Sequence, residues 1–178
     1  KVGFSQKLPP ANPGTYSIGV KKSFSGLGED QINALKDNLT FTIRVYNEDG
    51  SEITDTNEVP LKDTTFKLND MEYNSADGTY SKTFTNQTLN KPNKKYIFKV
   101  VETYSQVNGY AVKTTQTVSG GTVQNDRKTT LIGEKDSAVF SINNAYTDGI
   151  VQSKTAKLST EKNSWDERVY DITLNASS

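Results

Sequence analysis

The sequence predicts an all-β sandwich with one short helix after its first strand. Short runs rich in Thr, Val, Tyr and Phe recur along the 178 residues, and several alternate apolar and polar side chains with the period of two that a half-buried strand requires. Turn-forming residues separate these runs. The β pattern breaks clearly at residues 28–38, where Ile32, Leu35 and Leu39 fall at helical spacing and Ala34 and Lys36 favour helix.

Taken in order, residues 1–14 are rich in Pro and Gly and read as an extended lead-in. The first strand is expected over 15–24, and the short helix within 28–38 joins it to the second. Residues 40–46, Thr-Phe-Thr-Ile-Arg-Val-Tyr, alternate cleanly, and Asn47-Glu48-Asp49-Gly50 supplies a turn. That turn loosely matches a calcium loop but lacks the alternating acidic ligands, and its length fits a hairpin better. Further strands are expected over 64–68, 79–85, 95–103, 111–118, 128–133 and 137–144. Many short strands with turns between them form the pattern of an immunoglobulin-like β-sandwich, bounded here at 15–148. Residues 149–178 read as a linker and a strand-like lead into a further domain. Within them, 165–174 carries Trp165, Val169, Tyr170, Ile172 and Leu174. This segment is expected to pack on the sandwich, pair with a neighbouring copy, or fray.

Composition excludes several classes of chemistry. Lys plus Arg and Asp plus Glu balance at 21 each, which gives no electrostatic signature of a nucleic-acid or membrane-surface partner. There is no cysteine and no histidine, so thiol and imidazole nucleophiles, disulfides and the usual zinc ligands are all missing. No cofactor or metal is expected. The chain contains no apolar stretch long enough to span a bilayer, no signal-peptide pattern and no cell-wall sorting motif. It therefore reads as an internal fragment whose export and anchoring are encoded elsewhere. Nine tyrosines leave open a carbohydrate- or host-protein-binding face, although tyrosines also fill sandwich cores.

Three polar residues fall where core residues belong. Strand side chains alternate between faces, so Lys22 shares a face with Ile18 and Val20, Glu102 with Tyr96, Phe98 and Val100, and Asn144 with Phe140 and Ile142. The same parity turns Lys21 and Asn143 outward. An inward amine, acid and carboxamide are costly apart, but together they can form an amide. A neutral lysine amine attacks the asparagine carboxamide and ammonia leaves, while a protonated Glu102 polarises the carboxamide and shuttles protons. Burial favours both neutral forms, lowering the amine pKa and raising that of the acid. The alternative is a Lys22–Glu102 salt bridge at the sandwich rim, with Asn144 in a turn.

The segment Val20-Lys21-Lys22-Ser23-Phe24-Ser25-Gly26 resembles the first strand of the streptococcal pilin isopeptide-linkage repeat. Lys99-Val100-Val101-Glu102 is similar to that family's K-V-T-E motif, and Ile142-Asn143-Asn144-Ala145-Tyr146 to its closing F-T-N-T-Y, with Ile142 where an aromatic is usual. Asp77-Gly78-Thr79-Tyr80 and Gly109-Tyr110 stand where the repeat has its punctuation. The resemblance, over roughly residues 15–148, implies a Lys22–Asn144 isopeptide cross-link catalysed once, in its own chain, by Glu102. It also implies a structural stalk or adhesin module of a Gram-positive surface protein or pilus, not an enzyme acting on substrates. The partners it implies are other domains of the same surface protein or pilus, with a host ligand as a further candidate. The ending Tyr170-Asp171-Ile172-Thr173-Leu174 resembles the lead into a von Willebrand A domain of large adhesins.

Overall fold

A computed structural model describes residues 14–149, apart from 90, 92 and 133–135. The lead-in and the segment 165–174 lie outside the described residues. The elements in chain order are β1 (Gly14–Ser25), α1 (Glu29–Leu35), β2 (Thr40–Asn47), β3 (Thr65–Lys67), β4 (Glu72–Asn74) and β5 (Thr79–Leu89). They continue as β6 (Lys95–Thr103), β7 (Tyr110–Ser119), β8 (Thr122–Gln124), β9 (Lys128–Ile132) and β10 (Asp136–Asp148). Two five-stranded sheets result, in the orders β4-β5-β1-β10-β7 and β3-β2-β6-β9-β8. The all-β sandwich expected from the sequence is therefore the observed fold.

Alternation explains the packing. Tyr16, Ile18 and Val20 of β1 and Phe140 and Ile142 of β10 are buried from one sheet, and Phe41, Ile43, Phe98 and Val100 of β2 and β6 meet them from the other. Removing a side chain of this size from water contributes roughly 1.5–3 kcal/mol. The helix α1 carries the chain from the first sheet to the second. Its Gly28 N–H is held by Gln31 Oε1 at 2.7 Å, and it closes with Leu39 N–H donating to Leu35 O at 2.8 Å. Leu35 and Leu39, two of the apolar residues at helical spacing, are both buried.

Several boundaries differ from those expected. β5 and β10 run longer than 79–85 and 137–144 because β5 pairs along β1 as far as Leu89 and the end of β10 pairs with β7 as far as Asp148, so neighbouring backbone prolongs them beyond their apolar patterns. The short strands β4 and β8 were not expected. They are exposed throughout, so burial imposes no alternation that a sequence pattern would register. Residues 47–50 form the expected turn, closed by Asn47 N–H to Ser51 O and Gly50 N–H to Asn47 O, both at 2.9 Å.

The topology makes the first and last described strands neighbours. β1 lies between antiparallel β5 and parallel β10, with Lys22 opposite Ile142 and Phe24 opposite Asn144. β6 sits at the centre of the facing sheet. Its pairing with β9 runs from Lys95 opposite Ile132 to Phe98 opposite Thr129, and Glu102 lies beyond that stretch.

Candidate functional site: a buried lysine, glutamate and asparagine

The register places Lys22 and Asn144 on the inward face of one sheet, one pair apart along adjacent parallel strands. Both residues are completely buried. Glu102 reaches them from β6 in the opposite sheet. Its Oε1 lies 2.6 Å from Lys22 Nζ, with the glutamate side chain 6% exposed, and its Oε2 accepts a 2.7 Å hydrogen bond from Asn144 Nδ2. One carboxylate thus bridges the amine and the carboxamide nitrogen. The ammonium approaches Oε1 off the hydrogen-bond direction, so Nζ makes a close ion-pair contact without an aligned hydrogen bond.

This is not a salt bridge at the rim. Lys22 has no solvent exposure, and Asn144 belongs to the middle of β10 and not to a turn. An aromatic cover explains the shielding. The ammonium lies 5.1 Å from the centroid of the Phe24 ring, and Phe24 stacks on Tyr146 at 6.4 Å and meets Tyr80 edge-on at 6.0 Å. Burial pulls the Lys22 pKa down to about 8, with the charge and contact of Glu102 opposing part of that shift. A useful fraction of neutral amine near neutral pH follows.

Parity separates the neighbours as expected. Lys21 is exposed, and Asn143 accepts a 2.8 Å hydrogen bond from Ser23 Oγ on the outward side.

Sequence reasoning assigned no role to two further groups at the site. Thr114 on β7, directly opposite Asn144 in register, donates from Oγ1 to Asn144 Oδ1 at 2.9 Å. The Tyr146 hydroxyl donates to Ser105 O at 2.6 Å and accepts from Asn144 Nδ2 at 3.1 Å. Tyr146 was within reach of sequence reasoning, since it shares Asn144's parity. Thr114 was too, since it shares parity with Val112 and Val118 near the two ends of β7, although nothing in the polar run between them names its partner. Glu102, Thr114, Gln116 and Val112 also line a cavity of about 330 Å³ between β6 and β7.

Of the other candidates, the tyrosines divide. Tyr16, Tyr80, Tyr96 and Tyr146 are buried, whereas Tyr73 and Tyr104 are exposed. Among the described residues there is no cluster of acidic side chains arranged to hold a metal ion, and no helix is long and apolar enough to cross a membrane.

No protein-family model matches the chain, and no curated protein matches it. Solved structures similar to it include the T3.2 major pilin protein of Streptococcus pyogenes, at 22% identity and TM-score 0.36, covering 74% of this chain and 45% of that one. The T-13 major pilin protein of the same organism is similar at 16% identity and TM-score 0.33, covering 75% of this chain and 46% of that one. The pilus-presented adhesin Cpa is similar at 15% identity and TM-score 0.31, covering 76% and 28%. The chain thus spans less than half the length of each of these solved chains.

Proposed function

We propose that this chain is a structural module of a Gram-positive surface protein or pilus, with residues 15–148 as its sandwich, and that it matures by forming a Lys22–Asn144 isopeptide bond. The observation that carries this reading is the bridging position of Glu102, with Oε1 2.6 Å from the lysine amine and Oε2 2.7 Å from the carboxamide nitrogen, inside the sandwich. Such an arrangement is a poor stabilising device, since desolvating an ion pair costs about as much as its attraction returns. It is well arranged for a single transamidation. Lys22 enters as an ammonium and passes a proton to Glu102, and its free amine attacks Asn144 Cγ. The carboxamide nitrogen then takes up protons through Glu102 and leaves, and the products are a secondary amide and ammonium with Glu102 in its starting form.

The strand arrangement gives the bond a mechanical purpose. Tension enters β1 at Gly14 and leaves β10 at Asp148, and the two strands are parallel neighbours, so opposed pulling shears one past the other. A Lys22–Asn144 link would carry the load directly from one strand to the other and bypass everything between. By analogy with a disulfide closing a loop of this length, the link would stabilise the fold by about 5 kcal/mol. On this reading the partners are neighbouring domains of the same surface protein or pilus, and resistance to shear and proteolysis is the function.

The intact mass of the purified chain tests the proposal. It should be lower than the sequence mass by one ammonia, with digestion yielding a branched peptide that joins Lys22 to Asn144. Lys22→Ala, Glu102→Ala and Asn144→Ala should each restore the full mass, whereas Lys21→Ala and Asn143→Ala should not. A folded wild-type chain of full sequence mass would leave the second reading, a buried Lys22–Glu102 ion pair with Asn144 as its hydrogen-bonding partner, which the 2.6 Å contact also favours.

A further inference from the structure

The carboxamide of Asn144 has a defined orientation, which separates two tasks that a single acid would otherwise have to perform. The Tyr146 hydroxyl has one proton, and it is committed to Ser105 O at 2.6 Å, so toward Asn144 the phenol oxygen can only accept. Burial pushes the Tyr146 pKa well above its ordinary value, so this hydroxyl keeps its proton. The carboxylate of Glu102, paired with Lys22, is also an acceptor. Two acceptors on one side of the amide require Nδ2 there, at 3.1 Å from Tyr146 and 2.7 Å from Glu102. Oδ1 must then face Thr114, whose hydroxyl donates to it at 2.9 Å. The sequence reading gave Glu102 both the polarising and the proton-shuttling role, but its two oxygens face Nζ and Nδ2 while the carbonyl oxygen lies on Thr114.

We propose that Thr114 is a catalytic residue of the cross-linking reaction, donating its hydroxyl hydrogen bond to the oxyanion that develops on Asn144 Oδ1, while Glu102 acts only as the proton carrier between Lys22 Nζ and Asn144 Nδ2. This rests on the isopeptide reading above. When Nζ adds to Cγ, the carbonyl π electrons move onto Oδ1, and the tetrahedral adduct carries its negative charge where the Thr114 Oγ1–H already points. A preorganised donor costs no reorganisation at that moment, and its bond strengthens as charge accumulates. Collapse of the adduct returns those electrons to the C–O bond and expels the nitrogen that Glu102 has protonated. The cavity between β6 and β7, lined by both Thr114 and Glu102, gives the departing ammonia a way out on the same side. The donor is fixed by register: Thr114 is the cross-strand partner of Asn144, so the two side chains share the inward face of their sheet.

The test is a time course of intact mass on freshly expressed full chain, comparing wild type with Thr114→Val, Thr114→Ser and Thr114→Ala. Valine keeps the branched shape of threonine in a strand and removes the hydroxyl. Thr114→Val should lose ammonia on the order of 100-fold more slowly than wild type, leaving unreacted chain that converts over time while its circular dichroism matches that of the folded protein. Thr114→Ser, which restores the hydroxyl without the methyl group, should recover most of the rate, an outcome that a packing role for Thr114 would not give. Thr114→Ala reads the same rate if the valine chain does not fold. Conversion of folded Thr114→Val or Thr114→Ala as fast as wild type would overturn the role of Thr114 alone. Absence of ammonia loss from folded wild type would overturn the isopeptide reading and this proposal with it.

Discussion

Lys22 and Glu102 meet from opposite sheets at 2.6 Å, with the lysine side chain wholly screened from water. The contact exists because alternation points Lys22 into the core of one sheet and the central strand of the other presents Glu102 at the same level. The balance of forces on the pair is visible in the lysine. Burial lowers its pKa to about 8, and Glu102 opposes that shift without abolishing it.

Removing one partner of this pair should cost more than removing both. In an Asn144→Ala background, where no Lys22–Asn144 bond can form, Glu102→Leu should destabilise the fold by about 3–5 kcal/mol because it strands a buried ammonium. Adding Lys22→Met should recover most of that loss. Denaturant unfolding of the three chains gives the comparison, and a chain with both changes that is no more stable than the Glu102→Leu chain would show that the two groups are not coupled.

The same background should become more stable as pH rises from about 8 toward 10. Unfolded Lys22 titrates near 10.5 and folded Lys22 near 8, so in that window the unfolded chain binds the extra proton and stability increases with pH. Below about 8 both states hold the proton and the desolvation cost is present in full. Above about 10 the buried tyrosines reverse the trend, since burial raises the pKa values of Tyr16 and Tyr146 in the folded state only. A matching Lys22→Met chain should lack the rise, and an equal rise in both would assign it to other groups.

Two glycines with the same backbone angle separate strain from collision. Gly26 and Gly50 both have φ of 87°, but a Cβ on Gly26 would stand 2.0 Å from Tyr146 O, whereas at Gly50 nothing lies within 4 Å. Gly50→Ala should therefore cost about 1 kcal/mol from the left-handed conformation alone. Gly26→Ala should lower the melting temperature by clearly more, since the obstacle is backbone of β10 beside the triad. Equal shifts would mean that β10 yields at Tyr146.

Acid should weaken the molecule through Glu58. This carboxylate, 6% exposed, accepts from Lys94 at 2.5 Å and from the Tyr96 hydroxyl at 2.6 Å. Its hydrogen bond from Lys94, followed by that from Tyr96, holds its pKa below the ordinary 4.5. A depressed folded pKa contributes stability above about 4.5 that is lost as pH falls below it. Glu58→Gln should flatten the acid limb of a stability–pH curve, and Tyr96→Phe should cost about 1.5–3 kcal/mol at neutral pH by removing a hydrogen bond to a buried charge. An unchanged acid limb in Glu58→Gln would place the sensitivity elsewhere.

Local chemistry in the sequence determined the strands that carry apolar alternation, the helix between β1 and β2, the turn after Asn47, and the inward parity of Lys22, Glu102 and Asn144. Each of these follows from a backbone period and the identities of nearby residues. The exposed strands β4 and β8, the extension of β10 to Asp148 and the inward role of Thr114 were decided by tertiary structure. Backbone pairing makes no demand on side-chain polarity, and although Val112 and Val118 mark the inward face of β7, only its register with β10 brings Thr114 opposite Asn144. The orientation of the Asn144 carboxamide has the same origin. Sequence parity could bring three polar groups inward, but which atom of Asn144 faces which partner depends on Tyr146 having spent its proton on Ser105 O and on Thr114 lying opposite Asn144, both products of packing.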